Sequence, residues 1–241
     1  MEKKSFLSRF STCVPALLIG LGIVALGMFI NGGLVRFADR DRVVTVRGLC
    51  EKDVKADRVT WPIVSKEVGN DLTAIYDNVQ RTSNAIVEFL KTNGIEDSEI
   101  QVNAPQVVDM QADNYSGQAS LYRYNVTTVV VVTSNKVDKV KKLITRQAEL
   151  LQKGIAIVAG DYNYQTRYDY TGLNDIKPSM IAEATKNARK SAQKFADDSQ
   201  SSLGKIRSAS QGQISIEDRD QYTPDIKRVR VVSTVEFYLK D

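Results

Sequence analysis

Histidine is absent from all 241 residues of the chain. Without an imidazole, the protein has no Ser-His-Asp or Cys-His catalytic arrangement, no histidine acid or base, and no histidine-ligated metal site. We therefore predict no catalytic residue, no cofactor and no metal site. The remaining enzymatic alternative is a catalyst of unfamiliar type that uses Asp, Glu, Lys and Tyr side chains.

Cysteine is almost as scarce, because the chain contains Cys13 and Cys50 alone. Cys13 begins a hydrophobic segment and Cys50 lies in the first predicted strand, so an internal disulfide is not expected. An exposed Cys50 with a stabilised thiolate would be a candidate redox thiol, or it could link two protomers. The alternative is a buried structural thiol.

No charge of one sign dominates the chain, since it contains 33 basic and 29 acidic residues. The densest basic stretch, from Lys227 to Arg230, lies inside an alternating apolar pattern that is typical of a solvated strand face. We therefore predict no nucleic-acid partner.

A single long hydrophobic run follows a short basic segment at residues 1–13. Val14 to Ile30 carries no charge, and extension to Val35 gives 22 residues, or about 33 Å of helix. Ala25-Leu26-Gly27 could be a cleavage site, but apolar residues continue beyond it, which a cleaved signal seldom does. We predict a retained transmembrane signal-anchor helix over residues 14–35, with the membrane as its partner. The basic residues on its two sides do not decide its orientation.

The rest of the chain, residues 43–241, is predicted to be one α+β domain with a mixed sheet and helices packed on one face. Glycine C-caps at Gly94, Gly154 and Gly204 are expected to end the three helices. Pro62 suggests an edge strand, and Pro178 fits the first turn of the last helix. Hydrophobic periodicity places strands at Val43–Gly48, Arg58–Val68, Ile100–Met110, Tyr122–Thr133, Ile155–Tyr170, Lys205–Ile216 and Ile226–Leu239. The three helices run from an Asn70 cap to Gly94, from Lys136 to Lys153 and from Lys177 to Ser202, the last with an inner stripe of Ile181, Ala184, Ala188, Ala192, Phe195 and Ala196.

Tyrosines alternate along the predicted strand Ile155–Tyr170. Such a row supplies contact area with polar tips, which suits a protomer interface or a small-molecule groove. The alternative is a sheet face covered by the chain's own helices. The tyrosines concerned are Tyr162, Tyr164, Tyr168 and Tyr170.

An ordered set of short motifs resembles the SIMPL-domain family. The set begins with Val44-Thr45-Val46-Arg47-Gly48 and Asp57-Arg58-Val59, and ends with the strand Val229 to Val235. Between them lie Lys91-Thr92-Asn93-Gly94-Ile95, Ile100-Gln101-Val102, Tyr122 to Thr127, Lys136 to Val140 and Ala182 to Ala196.

The resemblance implies an exported, non-catalytic bacterial protein that forms homo-oligomers and supports envelope or oxidative stress tolerance. Together with the predicted anchor, it implies a single-pass protein of the inner membrane with the C-terminal domain in the periplasm. The alternative function is a periplasmic small-molecule binding module that uses the tyrosine-rich strand face.

Overall fold

The computed structural model describes residues 18–31, 33, 42–112, 121–158 and 161–240. The α+β class is confirmed, but the strands form two sheets and their pairs are antiparallel, so the predicted single mixed sheet is wrong. The chain divides into two compact units. The first contains Met1–Cys50, Pro178–Ile214 and Val231–Asp241, and the second contains Glu51–Lys177 and Ser215–Arg230.

The helices are α1 (Leu72–Thr92), α2 (Val137–Thr145), α3 (Ala148–Gln152) and α4 (Leu173–Asp198). The strands are β1 (Val43–Lys55), β2 (Arg58–Gly69), β3 (Ile100–Val102), β4 (Gln106–Asp109), β5 (Tyr124–Ser134), β6 (Arg167–Asp169), β7 (Ser202–Gln211), β8 (Ser215–Asp218) and β9 (Ile226–Lys240).

In the second unit, β2 and β5 form the centre of a sheet with the order β3-β5-β2-β6, and β4 pairs with β5 beyond the end of β3. Val59, Trp61 and Ile63 point to one face of this sheet, where α1, α2 and α3 cover them. Val130 and Val132 of β5 lie opposite Ile63 and Trp61 and complete the core. The prediction of helices on one sheet face is therefore confirmed for this unit.

Pro62 lies in an interior strand, so its predicted edge position is wrong. The neighbouring Thr60 pairs with Arg167 of β6, and Val64 O accepts from Val158 N at 2.8 Å. Backbone groups of alternate residues point the same way, so the nitrogen of Pro62 faces the gap between these two pairings. The proline therefore removes no hydrogen bond from the β2–β5 ladder.

In the first unit, the sheet order is β1-β9-β7, and α4 packs on one of its faces. Ala184, Ala188, Ala192 and Ala196 recur every four residues along α4 and are all fully buried, which confirms the predicted alanine stripe. Phe195 was placed on the same stripe, but it is 59% exposed.

Several predicted boundaries are wrong for local reasons. Asp71, rather than Asn70, caps α1, because its carboxylate accepts from Thr73 N and Ala74 N, while Asn70 Oδ1 accepts from Arg123 N. The helix predicted from Lys136 to Lys153 breaks into α2 and α3. Helix α4 begins at Leu173, so Pro178 lies inside it, beyond the first turn.

Two of the three predicted glycine caps are confirmed, since Gly94 and Gly154 have φ angles of +80° and +78°. Gly204 instead lies inside β7, where a Cβ atom would come within 2.8 Å of Tyr238 O. After α4, Gln200 adopts the left-handed conformation, with φ of 55°.

The predicted membrane span at 14–35 lies partly outside the described residues. Residues 18–31 are helical. Within the described residues, no helix is both long enough and apolar enough to cross a membrane.

Candidate functional site

The four candidate tyrosines do not share a strand face. The predicted strand Ile155–Tyr170 reduces to one bridge at Ile157, a 3-10 turn at Tyr162–Tyr164 and the short strand β6. Asp161 begins the 3-10 turn, since its carboxylate accepts from Asn163 N. Tyr162 is 86% exposed and Tyr168 is 8% exposed. The alternative function loses the row of side chains on which it was based.

Tyr168 and Tyr170 have structural partners of their own. Tyr168 belongs to the helix-covered core, where burial and the charge of Asp225 raise its pKa. Tyr170 Oη donates to Gly172 O at 3.0 Å, and burial also raises the pKa of this phenol. Both phenols therefore stay protonated at neutral pH.

Cys50 is a buried residue of β1 and lies against α4. Its thiol donates to Glu183 Oε2 at 3.4 Å. Cys50 therefore lacks the exposed sulfur on which the redox hypothesis depended.

The second unit has an open sheet edge at β4. Met110 N donates to Arg123 O at 2.7 Å, so by alternation Gln106 and Val108 also direct their backbone groups toward β5. Val107 and Asp109 consequently point their N–H and C=O groups away from the sheet. In the part of the chain that the structure describes, no strand pairs with this side of β4.

An apolar groove of about 180 Å³ adjoins the open edge, between α1 and the sheet. Ile75 and Val79 of α1 pack on Val126 of β5 and form its floor. Its walls are Leu72, Tyr76, Pro105 and Val107. This volume is below the range of about 300–1,000 Å³ that is usual for small-molecule pockets.

Large apolar side chains are exposed around the groove and the edge, each between 42% and 60%. They include both valines of β4, on opposite faces of the strand. Edge strands of soluble proteins are usually protected by lysine, proline or a covering segment. The residues of this group are Val68, Leu72, Tyr76, Val102, Val107, Val108 and Tyr122.

Sequence reasoning missed this surface. Val107 and Val108 were assigned to a predicted strand, but periodicity does not reveal whether a strand lies at an edge. Pro105 was the signal available in the sequence. It lies within residues 103–105, where the chain passes from β3 to β4. A proline inside a predicted strand indicates an edge or a bulge.

Two other clefts are lined largely by charged and polar residues. One of about 390 Å³ lies between Glu67, Arg81 and Lys153, and one of about 400 Å³ adjoins Lys136 and Asp225. In the second of these clefts, Lys136 Nζ donates to Glu96 and Glu99, and Asp225 accepts from Lys141 Nζ at 2.7 Å. That hydrogen bond lowers the pKa of Asp225. Within the described residues, no three acidic or cysteine side chains cluster in a way that could hold a metal ion.

A protein-family model described as SIMPL, protein of unknown function (DUF541), matches residues 44–237. The chain belongs to the SIMPL family. The match runs from the second residue of β1 into the last strand, so it includes both compact units and the open β4 edge. Among curated proteins, none matches the chain. The family description specifies no activity.

Proposed function

We propose that this SIMPL protein is a non-catalytic envelope protein that is tethered to the bacterial inner membrane and self-associates through the β4 edge. The open edge with its adjoining apolar groove is the observation that carries the proposal. Outward backbone groups of β4 have no partner strand among the described residues, and exposed valines lie beside them. A second strand would supply both hydrogen bonds and apolar contacts there.

A second copy of the chain suits this surface because β4 can pair with itself. In an antiparallel pair centred on Val108, Val107 and Asp109 of one copy would lie opposite Asp109 and Val107 of the other. The outward backbone groups of each residue would then meet their complements. Asp109 is already neutralised by Arg123, whose Nε and Nη2 donate to Asp109 Oδ2 at 3.0 and 2.9 Å, so the pairing brings no uncompensated like charges together.

The test is the mass of the full-length protein in detergent for the variant Val107→Lys. A lysine at the edge adds a charge that must be desolvated when two copies pair. We therefore expect the Kd of self-association to rise at least about tenfold, which corresponds to more than about 1.4 kcal/mol. Gln80→Lys is the matched control, because it adds the same charge to an exposed position of α1 in the same unit. A wild-type protein that is strictly monomeric at micromolar concentration would refute self-association.

The tether is supported by the N-terminal helical residues 18–31. Their large apolar side chains are each 55–81% exposed, on all sides of the helix. Such a surface is stable in lipid or against a partner, but not in water. The apolar run that contains these residues is 22 residues long in the sequence, which is the length that a bilayer requires.

Alkaline extraction of membranes and the N-terminal sequence of the mature protein test the tether together. We expect the protein to stay in the membrane pellet and to keep the residues before Met28. A mature chain that begins at Met28, or release into the soluble fraction, would contradict the tether. A reporter fused after Asp241 that works only in the cytosol would contradict the periplasmic side.

We further propose that the assembled protein supports tolerance of envelope or oxidative stress. The SIMPL resemblance and the absence of histidine support a role that does not depend on catalysis. A deletion strain should become sensitive to peroxide or detergent, and the wild-type gene should restore tolerance. Failure of the Val107→Lys gene to restore it, at equal protein level, would connect the stress role to assembly.

A further inference from the structure

The outer surface of α4 carries a cluster of basic side chains. Lys186, Arg189 and Lys190 are exposed, and none of the three forms an ion pair within the described residues. The next cation, Lys194, is already paired with Asp198 at 2.7 Å. We call Lys186, Arg189 and Lys190 the basic face of α4.

The nearest carboxylates on the helix do not neutralise this face. Glu183 accepts from the Cys50 thiol on the side of β1, and Asp197 Oδ1 accepts from Gln193 Nε2 at 2.8 Å. No acidic residue occurs in the sequence between Glu183 and Asp197. Three positive charges that have no ion-pair partner among the described residues therefore lie within about 6 Å along the helix axis.

The packing of α4 orients these cations away from the sheet. Ala184 and Ala188 lie so close to β1 that a Cβ atom on Gly48 would be 1.9 Å from Ala184 O. A residue two positions from Ala188 is turned by about 200° around the helix, so Lys186 and Lys190 project to the opposite side. Both lysines are exposed there in the described part of the chain.

The chain that leaves the proposed tether joins the domain near the end of α4. Arg42 O accepts from Leu239 N at 2.8 Å, and Arg42 Nη2 donates to Ser201 Oγ at 3.5 Å. Ser201 N in turn donates to Ala196 O, within the last turn of α4. Lys190 is about 12 Å from the end of the helix along its axis, and Lys186 about 18 Å.

The seven residue-to-residue steps from Val35 to Arg42 can span at most about 25 Å. A bilayer that holds residues 14–35 would therefore lie within reach of the whole basic face. This step depends on the proposed tether, and it adds a defined docking surface to it. Anionic headgroups and basic side chains are complementary in charge, and each cation near such a surface increases binding about fivefold.

We propose that the basic face of α4 docks on the anionic surface of the lipid bilayer to which the chain is tethered. The contact holds the first unit at the membrane through Lys186, Arg189 and Lys190. Its strength depends on the content of anionic lipid and falls with ionic strength.

The experiment uses the full-length protein reconstituted in nanodiscs of phosphatidylcholine, with or without about 30% phosphatidylglycerol. The rate of acetylation of each lysine amine is measured by mass spectrometry. We expect Lys186 and Lys190 to react at least about threefold more slowly in the anionic discs, and about 0.5 M NaCl to restore the rate. Lys153, which is exposed in the second unit, is the internal reference. Equal rates in the two lipids would overturn the proposal.

Charge removal gives a second test. The variant Lys186→Gln, Arg189→Gln and Lys190→Gln should bind preformed phosphatidylglycerol vesicles at least about tenfold more weakly than the wild type. The control, Lys52→Gln, Lys55→Gln and Lys153→Gln, removes the same charge from exposed positions of the second unit and should bind as the wild type does. Thermal unfolding of all three proteins verifies that they fold alike. Equal binding by both variants would overturn the basic face.

The tether and the docking of the basic face can be refuted independently of each other. Loss of the protein from the discs during reconstitution would refute the tether, and the vesicle assay then still tests the basic face. No binding of the wild type to anionic vesicles in that assay would overturn the docking surface. If the wild type bound a single-stranded oligonucleotide as strongly as the anionic vesicles, the basic face would attract polyanions in general. That result would also overturn the docking surface.

Discussion

Gly48 is a residue on which the close packing of α4 against β1 depends. An added Cβ atom would meet Ala184 O at 1.9 Å, Ala188 N at 2.4 Å and Ala188 Cβ at 2.8 Å. Two of these atoms belong to the helix backbone and cannot rotate aside, so α4 would have to move off β1. Gly48 is also the last residue of the Val-Thr-Val-Arg-Gly motif, which gives a physical reason for glycine at that position.

We therefore expect Gly48→Ala to destabilise the protein by about 3 kcal/mol, near the upper end for overpacking, or to prevent folding. The measurement is the midpoint of urea unfolding followed by circular dichroism. Arg47→Ala, at the neighbouring exposed position, should change stability by no more than about 0.5 kcal/mol. Wild-type stability of Gly48→Ala would show that α4 does not approach β1 this closely.

Gly48 also shows how much of a residue's role can be predicted from the sequence. Gly48 was recognised as part of a motif, yet nothing local indicates that a helix 136 residues later packs on it. Phe195 was wrongly placed in the core because the alanine stripe of α4 drifts around the helix, and the last turn no longer presents that position to the sheet. Such errors come from tertiary geometry, which a helical repeat does not contain.

At the scale of elements, β5 and the buried faces of α1 and α4 were predictable, because long apolar repeats with one period have few alternatives. The segment Ile155–Tyr170 was not. Its alternating tyrosines imitate a strand, but Asp161 caps a 3-10 turn within it and β6 retains only three residues. Local hydrogen bonding by a short polar side chain prevailed over β-propensity.

The joint between β5 and α2 supports a prediction about pH. Ser134 Oγ donates to Glu99 Oε1 at 2.6 Å, and Glu96 N and Lys136 Nζ donate to Glu99 Oε2 at 2.9 and 3.2 Å. Burial acts to raise the pKa of Glu99, but the hydrogen bonds from Ser134, Glu96 and Lys136 outweigh it. The pKa therefore lies below the ordinary value of 4.5.

Because this pKa is lowered on folding, Glu99 stabilises the protein fully above about pH 4.5. That contribution is lost as the pH falls below 4.5 through the lowered pKa. We expect Glu99→Gln to cost about 1 to 2 kcal/mol at pH 7 and to make the loss of stability between about pH 5 and 3 shallower. Urea midpoints at several pH values measure both effects. Glu88→Gln, at an exposed position of α1, is the control and should alter neither. An unchanged slope for Glu99→Gln would exclude this joint as a source of acid lability.

At the scale of the whole molecule, three of the four boundaries between the two compact units fall inside β1, α4 and β9, so these three elements continue from one unit into the other. The fourth boundary, between residues 214 and 215, lies between β7 and β8. The sequence predicts one domain, because no linker composition separates its elements. A strand or helix that loses its packing at one end loses cooperative support at the other. We therefore expect the chain to unfold in a single transition.

Two phenylalanines and one tryptophan allow the expected single unfolding transition to be tested. Phe237 is 1% exposed in the core of the first unit, and Trp61, the one tryptophan of the chain, is buried in the core of the second. Phe237→Ala should cost about 3 to 5 kcal/mol. If unfolding is one transition, it should lower the urea midpoint of Trp61 fluorescence as much as that of circular dichroism. Phe195→Ala removes a ring of the same size from an exposed position of α4 and should leave both midpoints nearly unchanged. A Trp61 midpoint that stays at the wild-type value while circular dichroism shows early loss of structure would mean that the two units unfold independently.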